Sequence, residues 1–240
     1  MQRLSSWLVV LLAVAVFAAA GYVITKKDPV PDAGTVLPVP AASAPLSSGA
    51  GGSTSSAAGK VVAFLGDDWT SGVGASTKAK RFTSLLAGQL DFVEKNFGRD
   101  GSGYAKSGGA DGAYDSRVDD VAAAKPDVVI VSGGRNDTAD YLPTLRARIK
   151  ALFADLHDRL PNATLIALAP MWGDSEPPAD LEPVAAAVKQ YVQAAGGTYL
   201  DLTDPVRGHP EFMDDDADPN NKGYAAIATA LAPKIRSLLG

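Results

Sequence analysis

From residue 60 onward, short β-rich runs alternate with segments of helical period, and this alternation limits the fold more than any other property of the chain. VVAFL (61–65), DFVEKNF (91–97), DVVIVS (127–132), TLIALA (164–169) and TYLDL (198–202) read as strands. RFTSLLAGQL (81–90), SRVDDVAAA (116–124), LEPVAAAVKQYVQAA (181–195) and YAAIATALAPKIRSLL (224–239) read as helices. Leu142, Leu145, Ile149, Leu152, Leu156 and Leu160 mark one face of a further long helix. Strands separated by helices build a parallel sheet covered on both faces. The expected fold class is α/β, a single doubly wound domain of five parallel strands over residues 60–240.

The N-terminal quarter is of another kind. Arg3 precedes an uncharged, mostly apolar run of 18 residues, Trp7 to Ile24, closed by Lys26 and Lys27. That length exceeds a signal-peptide core of roughly 7–15 residues and approaches the ~17–25 of a membrane span. Ala18-Ala19-Ala20 also offers a small-residue cleavage site. Residues 1–27 are therefore expected to be a signal peptide or an N-terminal membrane anchor. Arg3 and the terminal amine roughly balance Lys26 and Lys27, so an exported domain, secreted or single-pass anchored, is an expectation that rests on the blocks of residues 60–240 and not on these flanks. Residues 28–59 are rich in Pro, Ala, Ser and Gly, with Asp28 and Asp32 as their only charges. They read as a disordered linker, stiff in its first half and flexible in its second.

Composition excludes several functions. A net charge of −5 gives no basic face for nucleic acid. The absence of cysteine removes disulfides and thiolate chemistry. Nothing in the sequence calls for a cofactor or a dedicated metal ligand set, and none indicates an oligomer.

In an open parallel sheet, ligands bind beyond the carboxyl ends of the strands. That rule selects 66–74, 98–104, 133–137, 170–174 and 203–220, all rich in Gly, Asp, Asn or Trp. FLGDDWTSGVGAS (64–76) resembles the opening block of the SGNH/GDSL hydrolases, where a strand ends in Gly-Asp-Ser. NFGRDGSGY (96–104) resembles their glycine block, and VIVSGGRND (129–137) their Gly-x-Asn-Asp block. DDADPNNKGYAAIA (215–228) has the shape of their Asp-x-x-His-Pro-Asn block followed by a helix. The resemblance spans the whole of 60–240 and implies the family's flavodoxin-like sheet, with helices on both faces.

It also implies a set of roles. Gly101 and Asn136 match the oxyanion donors, which stabilise charge on a tetrahedral intermediate. Asp215 matches the aspartate that orients the catalytic histidine. The nucleophilic serine, however, is replaced by Asp68, and the histidine by Asp218. A carboxylate, with an ordinary pKa near 4, is a much weaker base than imidazole. Of the two histidines, His157 falls on the long helix and reads as a surface residue, whereas His209 sits in a loop ahead of the last block. Ser71, three residues past Asp68, is the nearest hydroxyl, and it points elsewhere if the turn keeps its family geometry.

Three functions fit these residues. A degenerate hydrolase would keep the cleft as a binding site for an acylated or carbohydrate component of a cell envelope, with Trp69 and Trp172 as stacking platforms or as rim packing. A hydrolase with altered chemistry would use Asp68 and Asp218 as a close carboxylate pair, with Asp67 and Asp215 nearby, one pKa being raised. A divalent-cation module would use the same carboxyls with Asp214 or Asp216. Asp67 is expected to cap the turn after the first strand. Arg135 and Asp137 are expected to order the loop around Asn136.

Overall fold

A computed structural model describes residues 57–106, 108 and 112–240. The expected signal or anchor and the linker as far as residue 56 lie outside the described residues. Among the described residues no helix is long and apolar enough to cross a membrane.

Five parallel strands form one sheet: β1 (Val61–Gly66), β2 (Val93–Gly98), β3 (Val128–Ser132), β4 (Thr164–Leu168) and β5 (Thr198–Leu200), in the order β2-β1-β3-β4-β5. Among the described residues six α-helices connect or close them: α1 (Asp68–Ser71), α2 (Phe82–Leu90), α3 (Val118–Ala123), α4 (Leu142–Arg159), α5 (Leu181–Ala194) and α6 (Asn221–Leu239). The two-residue period of the strands sorts the core into two layers. Val62, Phe64, Val128, Ile130, Ile166 and Leu168 face α2 and α6. Ala63, Leu65, Val129, Val131, Leu165 and Ala167 face α3, α4 and α5. A central strand buried on both faces reads as a continuous apolar run, which is why β1 and β3 were visible without alternation. At the edge, β2 carries Glu94 and Lys95 and leaves Val93 48% exposed, the charged edge that discourages further pairing.

Several boundaries differ from expectation. Ala57 is fully buried against the α2/α6 layer, and Gly59 donates its N–H to Asp91 O at 2.7 Å, so the folded domain includes residues read as linker. The segment after β1 is a one-turn helix rather than a loop. A 3-10 turn (Tyr114–Arg117) leads into α3, shortening the helix expected there. β5 stops at Leu200, two residues early. α6 starts three residues early because Asn220 caps it, its side chain accepting from Lys222 N and Gly223 N; a polar cap precedes the apolar face that periodicity detects.

The order reverses between β1 and β3, which places a crevice at their carboxyl ends. Gly66 ends β1 so closely under Thr70 and the Ser132 carbonyl that any side chain would collide with both. This contact seats α1 directly over the sheet.

Candidate active site

Asp67 caps α1, accepting Trp69 N at 3.2 Å, and Gly72 closes the turn in a left-handed conformation with φ 95°. Asp68 is thereby presented at the crevice. Its two carboxyl oxygens are both taken. Gly101 N–H donates to Oδ1 at 2.8 Å, and Asn136 Nδ2 donates to Oδ2 at 2.8 Å. The same Asn136 amide also donates to Ser102 O at 2.9 Å. The resemblance places a substrate oxyanion at these donors; here a side chain of the protein holds them.

Asn136 is fixed by its neighbour. Asp137 is fully buried and accepts three backbone N–H groups, from Tyr104, Ala105 and Lys106, at 2.9, 2.9 and 3.1 Å. Burial pushes its carboxyl up, and those three bonds oppose the shift. This is the loop-ordering role expected of it.

Arg135 is the cation of the site. Its guanidinium lies 5.3 Å from the Trp69 ring and 5.9 Å from the Trp172 ring, bonds Ala217 O, and reaches Asp218 Oδ1 at 4.0 Å. Trp69 is only 2% exposed and donates through Nε1 to Ala217 O at 3.0 Å. A ring buried this way offers no face to a ligand, which corrects the expectation of Trp69 as a ligand platform. Trp172 stays half-buried, its backbone N–H donating to Asp204 Oδ2 at 2.6 Å.

Asp218 is 9% exposed, and its Oδ1 accepts no hydrogen bond. Burial raises its pKa to about 6, Arg135 opposes, and the charges of Asp68, Asp215 and Asp100 add to the rise. Asp215 does not orient the side chain at position 218. It accepts the backbone N–H of Ala217 and of Asp218, each at 2.8 Å, which holds its carboxyl below the usual range. Asp67 is 1% exposed and is raised to about 7 by burial and then by Asp68, with Arg135 opposing. Its free Oδ2 faces a cavity of about 10 Å³ beside Gly133, where Tyr114 Oη approaches so closely that only glycine fits.

The remaining candidates fall outside this cluster. Ser71 Oγ lies 2.5 Å from Asp100 Oδ1 and 2.9 Å from Asp68 O, two acceptors that compete for its single proton. His209 is exposed, stacks on Phe212 at 4.7 Å and pairs through Nδ1 with Glu211 at 3.0 Å. His157 is exposed on α4. Among the described residues no three Asp, Glu, His or Cys side chains converge as a cation site requires, which removes the geometric basis for the divalent-cation expectation. Asp100 and Asp204 were missed in the sequence. Asp204 precedes Pro205 and accepts Val206 N at 3.2 Å, a turn signature that was readable.

The cluster can hold a carboxylate in an anion hole, but among the described residues it brings neither an imidazole nor a free hydroxyl to that hole. Residues 64–226 match the GDSL-like lipase/acylhydrolase family. A GDSL lipase of Mycobacterium tuberculosis is 26% identical over 191 residues, 72% of this chain and 80% of the relative. A family two carbohydrate esterase from Clostridium thermocellum, solved with cellohexaose, superposes with a TM-score of 0.62 at 20% identity, covering 75% of this chain and 65% of that one. A lipase/acylhydrolase from Enterococcus faecalis gives 0.59 at 18% identity over 75% and 96%. These structures share the fold, and the sequence match spans the strands and turns that build the crevice. The chain belongs to the GDSL-like lipase/acylhydrolase family.

Proposed function

We propose that this chain is an exported, non-hydrolytic member of its family, binding acylated or carbohydrate components of a cell envelope in a cleft whose oxyanion hole is filled by Asp68. The observation that carries this proposal is the seating of both Asp68 oxygens on Gly101 N–H and Asn136 Nδ2. An oxyanion hole accelerates acyl transfer only if its donors are open to the developing charge. A substrate carbonyl oxygen must displace a carboxylate to reach them, and among the described residues no uncommitted serine hydroxyl and no histidine is there to start the reaction. The apolar run at 7–24 and the Pro/Ser/Gly-rich tether support export. Esterases among the structural neighbours, one of them solved with cellohexaose, support the ligand class.

The test compares the wild-type protein with an Asp68→Ser/Asp218→His variant on p-nitrophenyl acetate and butyrate. Hydrolysis by the variant alone is the expected result. Turnover by the wild type at a rate comparable to the variant overturns the proposal.

One observation favours a second function, a hydrolase using a carboxylate pair. Asp218, raised to about 6, is a general acid near neutrality whose pKa responds to Asp68. Its partner base, Asp68, is committed to two donors, which weakens this case. Wild-type hydrolysis of an acylated or glycosidic substrate, abolished by both Asp68→Asn and Asp218→Asn, would establish it.

A further inference from the structure

Aspartate precedes proline three times in the chain, at Asp28–Pro29, Asp204–Pro205 and Asp218–Pro219. Such a bond differs chemically from other peptide bonds. The side-chain carboxyl reaches its own backbone carbonyl carbon through a five-membered ring. The proline nitrogen belongs to a tertiary amide and leaves readily once it takes a proton. The un-ionised acid supplies both the attacking oxygen and that proton, and in an unfolded chain this form is scarce above about pH 4.

Asp28–Pro29 lies outside the described residues, and the other two bonds are held differently. Both carboxyl oxygens of Asp204 are taken by backbone N–H groups, Trp172 and Gly173 on Oδ2 at 2.6 and 3.0 Å and Val206 on Oδ1 at 3.2 Å. Asp218 Oδ1 is buried and accepts no hydrogen bond. The Arg135 guanidinium bonds Ala217 O and stays 4.0 Å from that oxygen. The backbone carbonyl oxygen of Asp218 accepts Asp214 N–H at 2.8 Å. That donor is aimed at the oxygen on which charge builds when the carbonyl carbon is attacked.

The surroundings also keep a proton on this carboxyl. Asp68 at the start of α1, Asp100 beyond β2 and Asp215 in the same loop face it, as do Arg135 beyond β3 and the Tyr224 hydroxyl of α6. Burial and the three acids outweigh Arg135 and raise its pKa to about 6.

We propose that this chain cuts its own backbone at Asp218–Pro219 in mild acid, with water as the only co-reactant. The side-chain oxygen bonds to the Asp218 carbonyl carbon as the carboxyl proton passes to Pro219 N. The C–N bond breaks with its electron pair on nitrogen, leaving a cyclic anhydride on residue 218 and proline as a new amino terminus. Water opens the anhydride to two carboxyls, and the amine, protonated below about pH 8, does not attack it. Tyr224, Ile227, Leu231 and Ile235 are fully buried, so α6 stays docked and the product is a nicked domain. The step asks nothing of Asp68 as a base or nucleophile, so it stands whether or not the site acts on other substrates.

The test is prolonged incubation of the folded full-length protein at 37 °C and pH 5.5, with fragments identified by intact mass. At that pH the un-ionised fraction of a carboxyl at about 6 exceeds that of one at 3.8 by about fortyfold. Cutting at Asp218–Pro219 is therefore expected about fortyfold faster in the folded protein than in the urea-unfolded chain, with Asp204–Pro205 intact. The folded rate should be first order, independent of protein concentration, and should fall only above about pH 6. Asp218→Asn should abolish the cut. Asp218→Glu, a carboxyl one methylene farther from the bond, should slow it more than about tenfold; thermal melts check that both variants fold. A folded rate no faster than the unfolded one, equal cutting at Asp204–Pro205, or an undiminished rate in either folded variant overturns the proposal. A rate that rises with protein concentration overturns it as well.

Discussion

The side-chain amide of Asn136 donates to Asp68 Oδ2 at 2.8 Å while its other proton is held by Ser102 O at 2.9 Å. Both protons of the one amide are therefore spent inside the protein. With Gly101 N–H on the other oxygen, Asp68 is clamped at both ends of its carboxyl.

Replacing Asp68 by asparagine sets an NH₂ group against one of these donors. The expected cost is about 1–2 kcal/mol, kept low because Asp68 is half-exposed. Urea denaturation of Asp68→Asn measures it. The same variant should lower the pKa of Asp218 and of Asp67, since the Asp68 charge raises both. Unchanged titration of those two carboxyls would show that Asp68 does not sit as described.

Stability should fall as pH rises from mild acid to neutrality. Asp218 is raised to about 6 and Asp67 to about 7 from an ordinary value of 3.8. The folded chain holds these protons more tightly than the unfolded one, so their stabilisation is complete below about pH 4 and is lost as pH rises through about 6 and 7. Asp215, held low by two backbone N–H groups, acts in the opposite sense and loses its contribution as pH falls through its depressed value. Urea midpoints should therefore peak in mild acid and be lower at pH 8. Asp67→Asn should flatten much of the slope, and a midpoint that climbs from pH 5 to 8 would contradict both assignments.

Removing the Arg135 guanidinium takes away two ring contacts, a bond to Ala217 O and the cation beside Asp218 and Asp67. Arg135→Ala should cost about 2–3 kcal/mol and push both carboxyls higher still. Arg135→Lys should recover little, because an ammonium does not lie flat against two indoles. Tryptophan fluorescence with thermal melts checks both variants.

Asp137→Ala leaves three backbone N–H groups without their acceptor in a buried loop. A loss of about 3 kcal/mol or more is expected. Hydrogen exchange at Tyr104, Ala105 and Lys106 should accelerate first, ahead of exchange in β3.

The strands of this fold were legible because β1, β3 and β4 are buried on both faces and are apolar except at their ends, at Ser132 and Thr164. The site was legible as positions, since sequence blocks place Asp68, Gly101 and Asn136 just beyond β1, β2 and β3, and Asp218 just ahead of α6. What the sequence could not reveal is which way a side chain turns. A carboxyl at position 68 reads equally well as a base facing Asp218 or as an anion facing Gly101, and only the geometry chooses the second. Trp69 reads as a platform because it follows a strand, but the one-turn helix that turns its ring inward is too short to leave a periodic signal. Arg135 could be read as loop order, whereas its position between two rings depends on Trp172, distant in sequence.

The clamped Asp68 carboxyl also bears on how such a protein would be noticed in a cell. Fluorophosphonate reagents, used to tag serine hydrolases in whole proteomes, need a serine oxygen to phosphonylate and open donors to seat the phosphoryl oxygen. At the end of β1 the oxygens are those of a carboxyl, and the donors are occupied. A chain with a carboxyl at this position is expected to stay unlabelled by such a reagent while folded, and an Asp68→Ser variant is the control that would restore a target oxygen.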